Sequence, residues 1–575
     1  MLRKVVLFAA LAASLAGVSP AHAGTSERLM PNVRYTREAR WIAGERVVFH
    51  VVVAPKPGGL YGLRPVLSNE RVTGRETLRS MQRRMLRRTN VVGVNGDFFT
   101  WATGHPNGIF VQRGVVKTHP LGGRSSLGIG LDGLLRISRL QYAGSFHFGS
   151  YSPRRIREFN RPNKHWRGFT LFTRAWGNRT PHRSHTTEVV LADVKRTFPN
   201  VDRVGRIVRV VRGSEHAIPP GGAVLQARRT SRKIVRAQAA AGGTVTFRIG
   251  ISSWWDGVKA AIGGGPVLVR NGQPIYRAGE WFTSYQLGPR HPRTAIGQRA
   301  NGKIVLLVAD GRSILSHGLT NRQLANAMVH YGAVNAMAFD AGGSSEMAFN
   351  GVVLNRPSDG RERPLADSLQ LTYIGAFARK PRFPVFSPNG DGVRDIQRLS
   401  AKFVRTSTVD LKLVNPNGNI RWTYSATRSP GIVRKSLSAS NLLEGTWRWV
   451  VSGVDRKGRS SQMERRFRVN NTLGYMTLSK DVMRVRKRFG GRIRIGFRLA
   501  HTANVLVRIR NSRGRIVRHL VAQSGLGPGG YAVIWNGKND AGRVVRSGRF
   551  AAGVRADNSL GAIAITKRFR VRRVS

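Results

Sequence analysis

The 575-residue sequence contains no cysteine, which excludes disulfides, thiol nucleophiles and cysteine-ligated metals. Acidic residues are scarce. Against 96 Lys and Arg stand 29 Asp and Glu, a formal net charge of +67. Such a field attracts polyanions: nucleic acid, anionic cell-wall polymer or phosphorylated glycan. A GC-rich coding sequence, which enriches arginine, glycine and alanine, is an alternative source of the same bias. Long apolar runs are also missing. After Val18 none approaches the roughly 20 residues of a membrane-spanning helix, so no transmembrane segment is predicted.

At the N-terminus, Arg3 and Lys4 precede an apolar run from Val5 to Val18 and then Ala21-His22-Ala23. This is the pattern of a secretory signal cleaved before Gly24, and it predicts a secreted or cell-wall-associated protein. The basic residues are spread along the chain, with no basic tail or continuous basic helix. With the export signal, this favours a phosphorylated glycan or anionic wall polymer over nucleic acid as partner.

The chain is too long for one core. Near Arg379 helical periodicity stops, and short alternating strands with turn residues continue to the end. This tail repeats itself: Leu411, Leu413, Asn415, Gly418 and Ile420 match Val507, Ile509, Asn511, Gly514 and Ile516 at constant spacing. The predicted organisation is multidomain: a signal peptide at 1–23, a mixed α/β (α+β) domain with a largely β core at 24–378, and two Ig-like β-sandwich domains at 379–472 and 473–575.

The stretch Arg293–Glu346 brings charged residues together. Asn301-Gly302 between two apolar runs signals a two-residue hairpin, whose register sets Arg299 opposite Ile304 and Arg293 opposite Asp310. Thr320 with Gln323 forms a capping box that opens a helix ending at Gly332, and Ala333–Phe339 is a strand. Strand, helix and strand make a βαβ unit with both carboxyl ends on one edge, where Asp310 and Asp340 lie and where open α/β sheets bind ligands. Gly342, Gly343, Ser344 and Ser345 follow, a run of amides and hydroxyls suited to an anion. A second strand end carries Asn95-Gly96-Asp97 and the loop Gly104–Gly108 with Asn107. The alternatives are structural: Arg293 and Asp310 as an ion pair, Asp97 as a turn cap, Arg363 as a solvated charge, Glu346 as a packing residue. The glycines at 263–265 lack the following GK[ST] of a P-loop, and no serine sits in a nucleophile-elbow setting.

Taken in order, NGDFF, GHPNG, AIGGGPVLVRNG, RHPRTAIG, VADGR, FDAGGSSEM and NRPSDGRERP make the sequence from about Arg40 to Ala378 similar to the phosphodiester glycosidase family. The resemblance implies hydrolysis of sugar-1-phosphodiester linkages. It implies Asp340 as nucleophile or base, Asp310 as its partner and Asp97 on sugar hydroxyls, without a required cofactor or catalytic metal. Arg293, Arg312 and Arg363 would hold phosphate with Gly342–Ser345, and Thr294, Asn95 and Asn107 would line the substrate. Trp101, Trp176, Trp254, Trp255 and Trp281 are available to stack on sugars or to fill the core. The sequence departs from the family at Ala341, usually glycine, and at Asp367, where an amide is expected. A non-catalytic wall- or polyanion-binding protein with the same pocket is the alternative. In the tail, 386–395 resembles the opening of secreted Ig-like modules, and 535–550 resembles the Ig-like module of flagellar hook-capping proteins. Asn389, Asp391 and Asp395 offer oxygen ligands for a structural Ca²⁺, or for a metal-free Asx turn.

Overall fold

The computed structural model describes residues 24–163, 165–276, 278–438, 441–486 and 489–574; the predicted signal peptide lies outside the described residues. The chain is multidomain and mostly β, and it divides between Ile374 and Gly375 into two compact units. Phe377–Ala378 pairs with Gln397–Phe403 in the second unit, so the division falls before the predicted boundary at 378. No helix among the described residues is long and apolar enough to cross a membrane.

The N-terminal unit is built on an eight-stranded sheet whose centre runs Glu45–Ala54, Ile304–Ala309, Arg293–Arg299, Ala333–Ala338. All six residues of Ile304–Ala309 are buried, as a continuous apolar run covered on both faces requires. The hairpin is one residue out of the predicted register: Gln298 faces Ile304 and Arg293 faces Ala309. Gly302 takes φ +79° while Asn301 stays at negative φ, so the loop has three residues with glycine alone in the left-handed position. The capping box at Thr320 is present and opens the helix Asn321–His330. The two strands it joins are parallel but not adjacent, because Arg293–Arg299 lies between them, antiparallel to each. Their carboxyl ends still share an edge.

A second sheet pairs Asn90–Asn95 antiparallel with Asp367–Tyr373, with Ser368 opposite Asn95, which sets Asp367 beside Asp97. Between these segments lies a closed seven-stranded barrel from Gly144–Phe148 to Thr244–Arg248 that sequence periodicity did not disclose. Its interior is filled by Phe146, Phe148, Phe169, Leu225 and Phe247 among others.

In the C-terminal unit a three-stranded and a five-stranded sheet occur twice, each time with a first strand parallel to the last. The repeat has a physical cause. Asn415 and Asn511 each accept, on Oδ1, the amide of the residue four places on (2.9 and 3.1 Å), closing the same hairpin over a glycine at positive φ. In the candidate Ca²⁺ loop both Asp395 oxygens accept amides, from Gly390 at 3.1 Å and Gly392 at 2.6 Å. Asp391 accepts the amide of Val393 at 2.8 Å, an Asx turn, and that of Tyr475 at 2.7 Å.

Trp535 is fully buried between Phe550 and Phe569, each ring centroid 5.7 Å away, and its indole donates to Lys538 O at 2.8 Å. Trp535→Ala is expected to cost about 3–5 kcal/mol. Scanning calorimetry should show the transition of the C-terminal unit falling while that of the N-terminal unit stays.

Candidate active site

Two sheets meet at Asn95, and its amide side chain joins them. Nδ2 donates to the Asp340 carbonyl at 2.8 Å, while Oδ1 accepts the Thr294 hydroxyl at 2.7 Å and the Glu346 amide at 3.1 Å. The Asp340 amide donates to Gly96 O at 3.0 Å, so Asp340 is carried to the strand end that bears Asp97. Asp97 accepts the amides of Phe98 and Gly108 at 2.8 and 2.5 Å, and its own amide donates to Asp367 Oδ1 at 2.8 Å. The glycines of the sequence motifs answer this crowding. A Cβ at Gly96 would lie 2.2 Å from Asp367 Oδ1, and at Gly263 2.4 Å from Asp97 Oδ2.

Burial penalises the charged form of each carboxyl group. It pushes Asp97 up to about 7 and Asp340 up to about 6. Asp367 is driven well above the carboxylate range by burial and then by the charge of Asp97. The Ser344 hydroxyl, the Ala341 amide and the charges of Arg363 and Arg124 hold Asp340 lower than burial alone would. Glu346, also buried, rises to about 8, and its Oε2 has no hydrogen-bond partner.

One cation whose charge reaches this cluster is one that sequence reasoning missed. Arg124 lies over the rings of Phe98 and Phe282, 4.9 and 4.2 Å from their centroids, with Nε donating to Trp281 O at 3.0 Å. Its Nη1 is buried without a partner, and its charge acts on both Asp97 and Asp340. Arg161, likewise missed, donates to Asn107 O at 2.7 Å and also acts on Asp97. Only the placement of Gly122-Gly123-Arg124 before a buried strand hinted at the first; nothing local marked the second.

Several predicted residues are placed differently. Asp310 does not join Asp340: its oxygens accept His50 Nε2 at 3.1 Å, Asn355 Nδ2 at 3.2 Å and the Arg356 amide at 3.1 Å. Behind it the Tyr35 hydroxyl meets His50 Nδ1 at 2.8 Å. Arg293 neither pairs with Asp310 nor faces the cluster with free donors. It is buried and donates to the carbonyls of Leu319, Gln286 and Pro289 at 2.9, 2.7 and 3.0 Å, and burial lowers it to about 10. In the Gly342–Ser345 loop the amides of Gly342, Ser344 and Ser345 bond to Pro292, Ala341 and Gly342 carbonyls, so they are not the free anion cradle expected. The Ser345 hydroxyl is buried without a partner, and Gly343 leaves room for Arg363, whose Nη2 would be 2.0 Å from a Cβ there. Arg363 pairs with Asp359 at 2.7 Å and reaches Ser344 Oγ at 3.4 Å. Arg312 is exposed beside Gly342. Asn107 is half-buried on the Asp97 side. Trp101 and Trp281 are 59% and 65% exposed, whereas Trp176 is buried and Trp254 and Trp255 are half-buried against the barrel core.

A mostly β domain with a crowded carboxyl cluster at converging strand ends is the class these features define. Residues 200–372, within the N-terminal unit, match the model of the phosphodiester glycosidase family. The matched stretch holds Asp340, Arg363 and Asp367 but not Asn95, Asp97, Asn107 or Arg124. An uncharacterised protein from the SPbeta prophage of Bacillus subtilis, YomE, is 38% identical over 117 residues, 20% of this chain and 18% of that one. A hypothetical protein of Synechocystis is similar in structure, with a TM-score of 0.52 at 21% identity, over 62% of this chain and 64% of the other; at that identity the likeness concerns the fold. The catalytic domain of zebrafish N-acetylglucosamine-1-phosphodiester alpha-N-acetylglucosaminidase aligns with 61% of this chain and 87% of its own, at 14% identity and a TM-score of 0.32.

Two outcomes are expected. A carboxyl group raised by burial binds its proton more tightly folded than unfolded, so it costs stability increasingly as pH rises from about 4. Asp367→Asn should therefore raise the Tm of the N-terminal unit at pH 7.5 by about 2 °C or more, a gain that shrinks toward pH 4. Because Arg293 spends its planar fork on carbonyls, Arg293→Lys should lower that Tm and change KM for a phosphodiester by less than about threefold. Arg124→Lys should do the reverse.

Proposed function

We propose that the protein hydrolyses sugar-1-phosphodiester linkages of cell-wall or extracellular glycans, with Asp340 as nucleophile or as base for water. The observation that carries this reading is the convergence of buried Asp340 and Asp97 under the charges of Arg124 and Arg363. A phosphate monoester leaving group, with a second pKa near 6, departs without a strong general acid. The site must instead hold phosphate, which arginine does through charge-assisted hydrogen bonds, and support positive charge at the anomeric carbon, which a carboxylate does.

In this reading Arg124 takes the phosphate role that spacing had suggested for Arg293, with Arg363 and exposed Arg312 beside the loop. Asp97, with both oxygens already bonded to amides, binds sugar hydroxyls. Asp310 holds its strand end through His50 and Asn355. Trp101, with Arg75 4.5 Å from its ring centroid, and Trp281 present exposed indole faces to sugar rings. The paired sheets of the C-terminal unit are read as two Ig-like modules that keep the enzyme on its polymer. Export by the N-terminal signal belongs to the same proposal.

Incubation with an N-acetylglucosamine-1-phosphodiester should release free sugar and a phosphate monoester, and Asp340→Asn should slow release by at least about 10³-fold. Asp340 must be ionised to act. Its folded pKa is about 6, so kcat/KM should be level above that and fall about tenfold per pH unit below it. Tight binding of sugar phosphodiesters with no sugar released would leave the non-catalytic alternative standing.

A further inference from the structure

The two C-terminal modules share a framework and differ on one face. In the second module the solvent side of the five-stranded sheet carries Arg484 and Arg486 from Val482–Arg486, Arg549 from Gly548–Asp557, and Arg568, Arg570 and Arg572 from Ile563–Val574, all exposed. Arg484 stands opposite Arg572, and Arg570 opposite Arg549. Like charges in direct cross-strand register destabilise a sheet. The acidic residue on these three strands is Asp557, and it pairs with Arg555 at 2.8 Å.

The first module is an internal control for the arginine-rich composition of the chain. On its matching sheet acids meet three of the cations: Lys412 pairs with Asp410 at 2.8 Å, and Glu464 bridges Arg448 and Arg466 at 3.5 and 2.7 Å, while Arg421 and Arg428 stand exposed on the edge strand Ile420–Arg428. Phe467 faces Trp447 as Phe569 faces Phe550, so the place of Glu464 is taken in the second module by Thr566. Composition alone would have loaded both faces alike.

We propose that this arginine face of the second module is a docking surface for a linear phosphodiester polymer, one negative charge per repeat, lying along the row Arg568–Arg570–Arg572. Same-face side chains recur about every 6.6 Å along a strand, and among the described residues of these three strands no aromatic side chain is exposed for a base to stack on. The surface stands on its own charge pattern; the choice of a phosphodiester glycan rather than nucleic acid rests on the function proposed for the N-terminal unit.

The test uses the full chain in an Asp340→Asn background, which removes turnover and leaves this face untouched. A poly(glycerol phosphate) of about 20 repeats and a single-stranded DNA of equal charge are titrated at several salt concentrations. The polymer should bind with log K falling linearly in log salt. Arg568→Ser/Arg570→Ser/Arg572→Ser should weaken it at least about tenfold and reduce the slope by roughly two. Removing Arg421, Arg428 and Arg434, exposed on the first module, should change it less than about twofold. Thr566→Glu, which restores the acid of the first module, should weaken binding and leave Tm unchanged or higher, so that lost binding is not mistaken for unfolding. Equal losses from both triple variants would overturn the docking surface in favour of a diffuse field. Tighter binding of the DNA would overturn the choice of polymer. Absence of sugar release by the wild type, with this binding intact, would count against the hydrolase alone.

Discussion

The structure depends on holding three carboxyl groups, those of Asp97, Asp340 and Asp367, away from water at the meeting point of two sheets. Each pays for burial with a raised pKa; the charge of Asp97 raises Asp367 further, and that of Asp340 raises Asp97. The surrounding backbone is arranged to make this tolerable. Amides of Phe98, Gly108 and Ala341 point at carboxylate oxygens, and glycines stand wherever a Cβ would collide with them. Stored destabilisation of this kind is characteristic of sites where chemistry is done. Asn95 and Thr294, expected to touch substrate, instead lock the two strand ends together beneath the cluster.

What the sequence made legible was what short-range chemistry determines. The capping box at Thr320, the repeated Asn-to-Gly turn of the tail and the parallel strand ends at Asp310 and Asp340 all follow from residues a few positions apart. The hairpin register failed by one because Asn-Gly supports two loop lengths, and here only the glycine occupies the left-handed region. That single residue moved Arg293 from opposite Asp310 to opposite Ala309. The carbonyls of Gln286 and Pro289 then took its guanidinium, a contact no periodicity encodes. The barrel escaped notice because its closure joins strands far apart in sequence, such as Gly144–Phe148 with Thr244–Arg248. Arg124 escaped because its place over Phe98 and Phe282 depends on three segments arriving together.

Charge shows the same division between composition and position. A net charge of +67 says that the chain attracts anions but not where. On the first C-terminal module Glu464 takes up Arg448 and Arg466, and the second, on the same framework, has Thr566 in its place. In the N-terminal unit, Arg293 is buried and saturated by carbonyls, whereas half-buried Arg124 keeps one guanidinium nitrogen without a partner.

The account centres on attack at the sugar carbon with phosphate as the leaving group. Hydrolysis of an N-acetylglucosamine-1-phosphodiester in ¹⁸O-labelled water, with mass analysis of both products, tests it most directly. The label should appear in the anomeric hydroxyl of the released sugar, with the phosphate monoester unlabelled. Label in the phosphate would mean that the P–O bond breaks and that Asp340 does not serve the anomeric carbon, which would contradict the account.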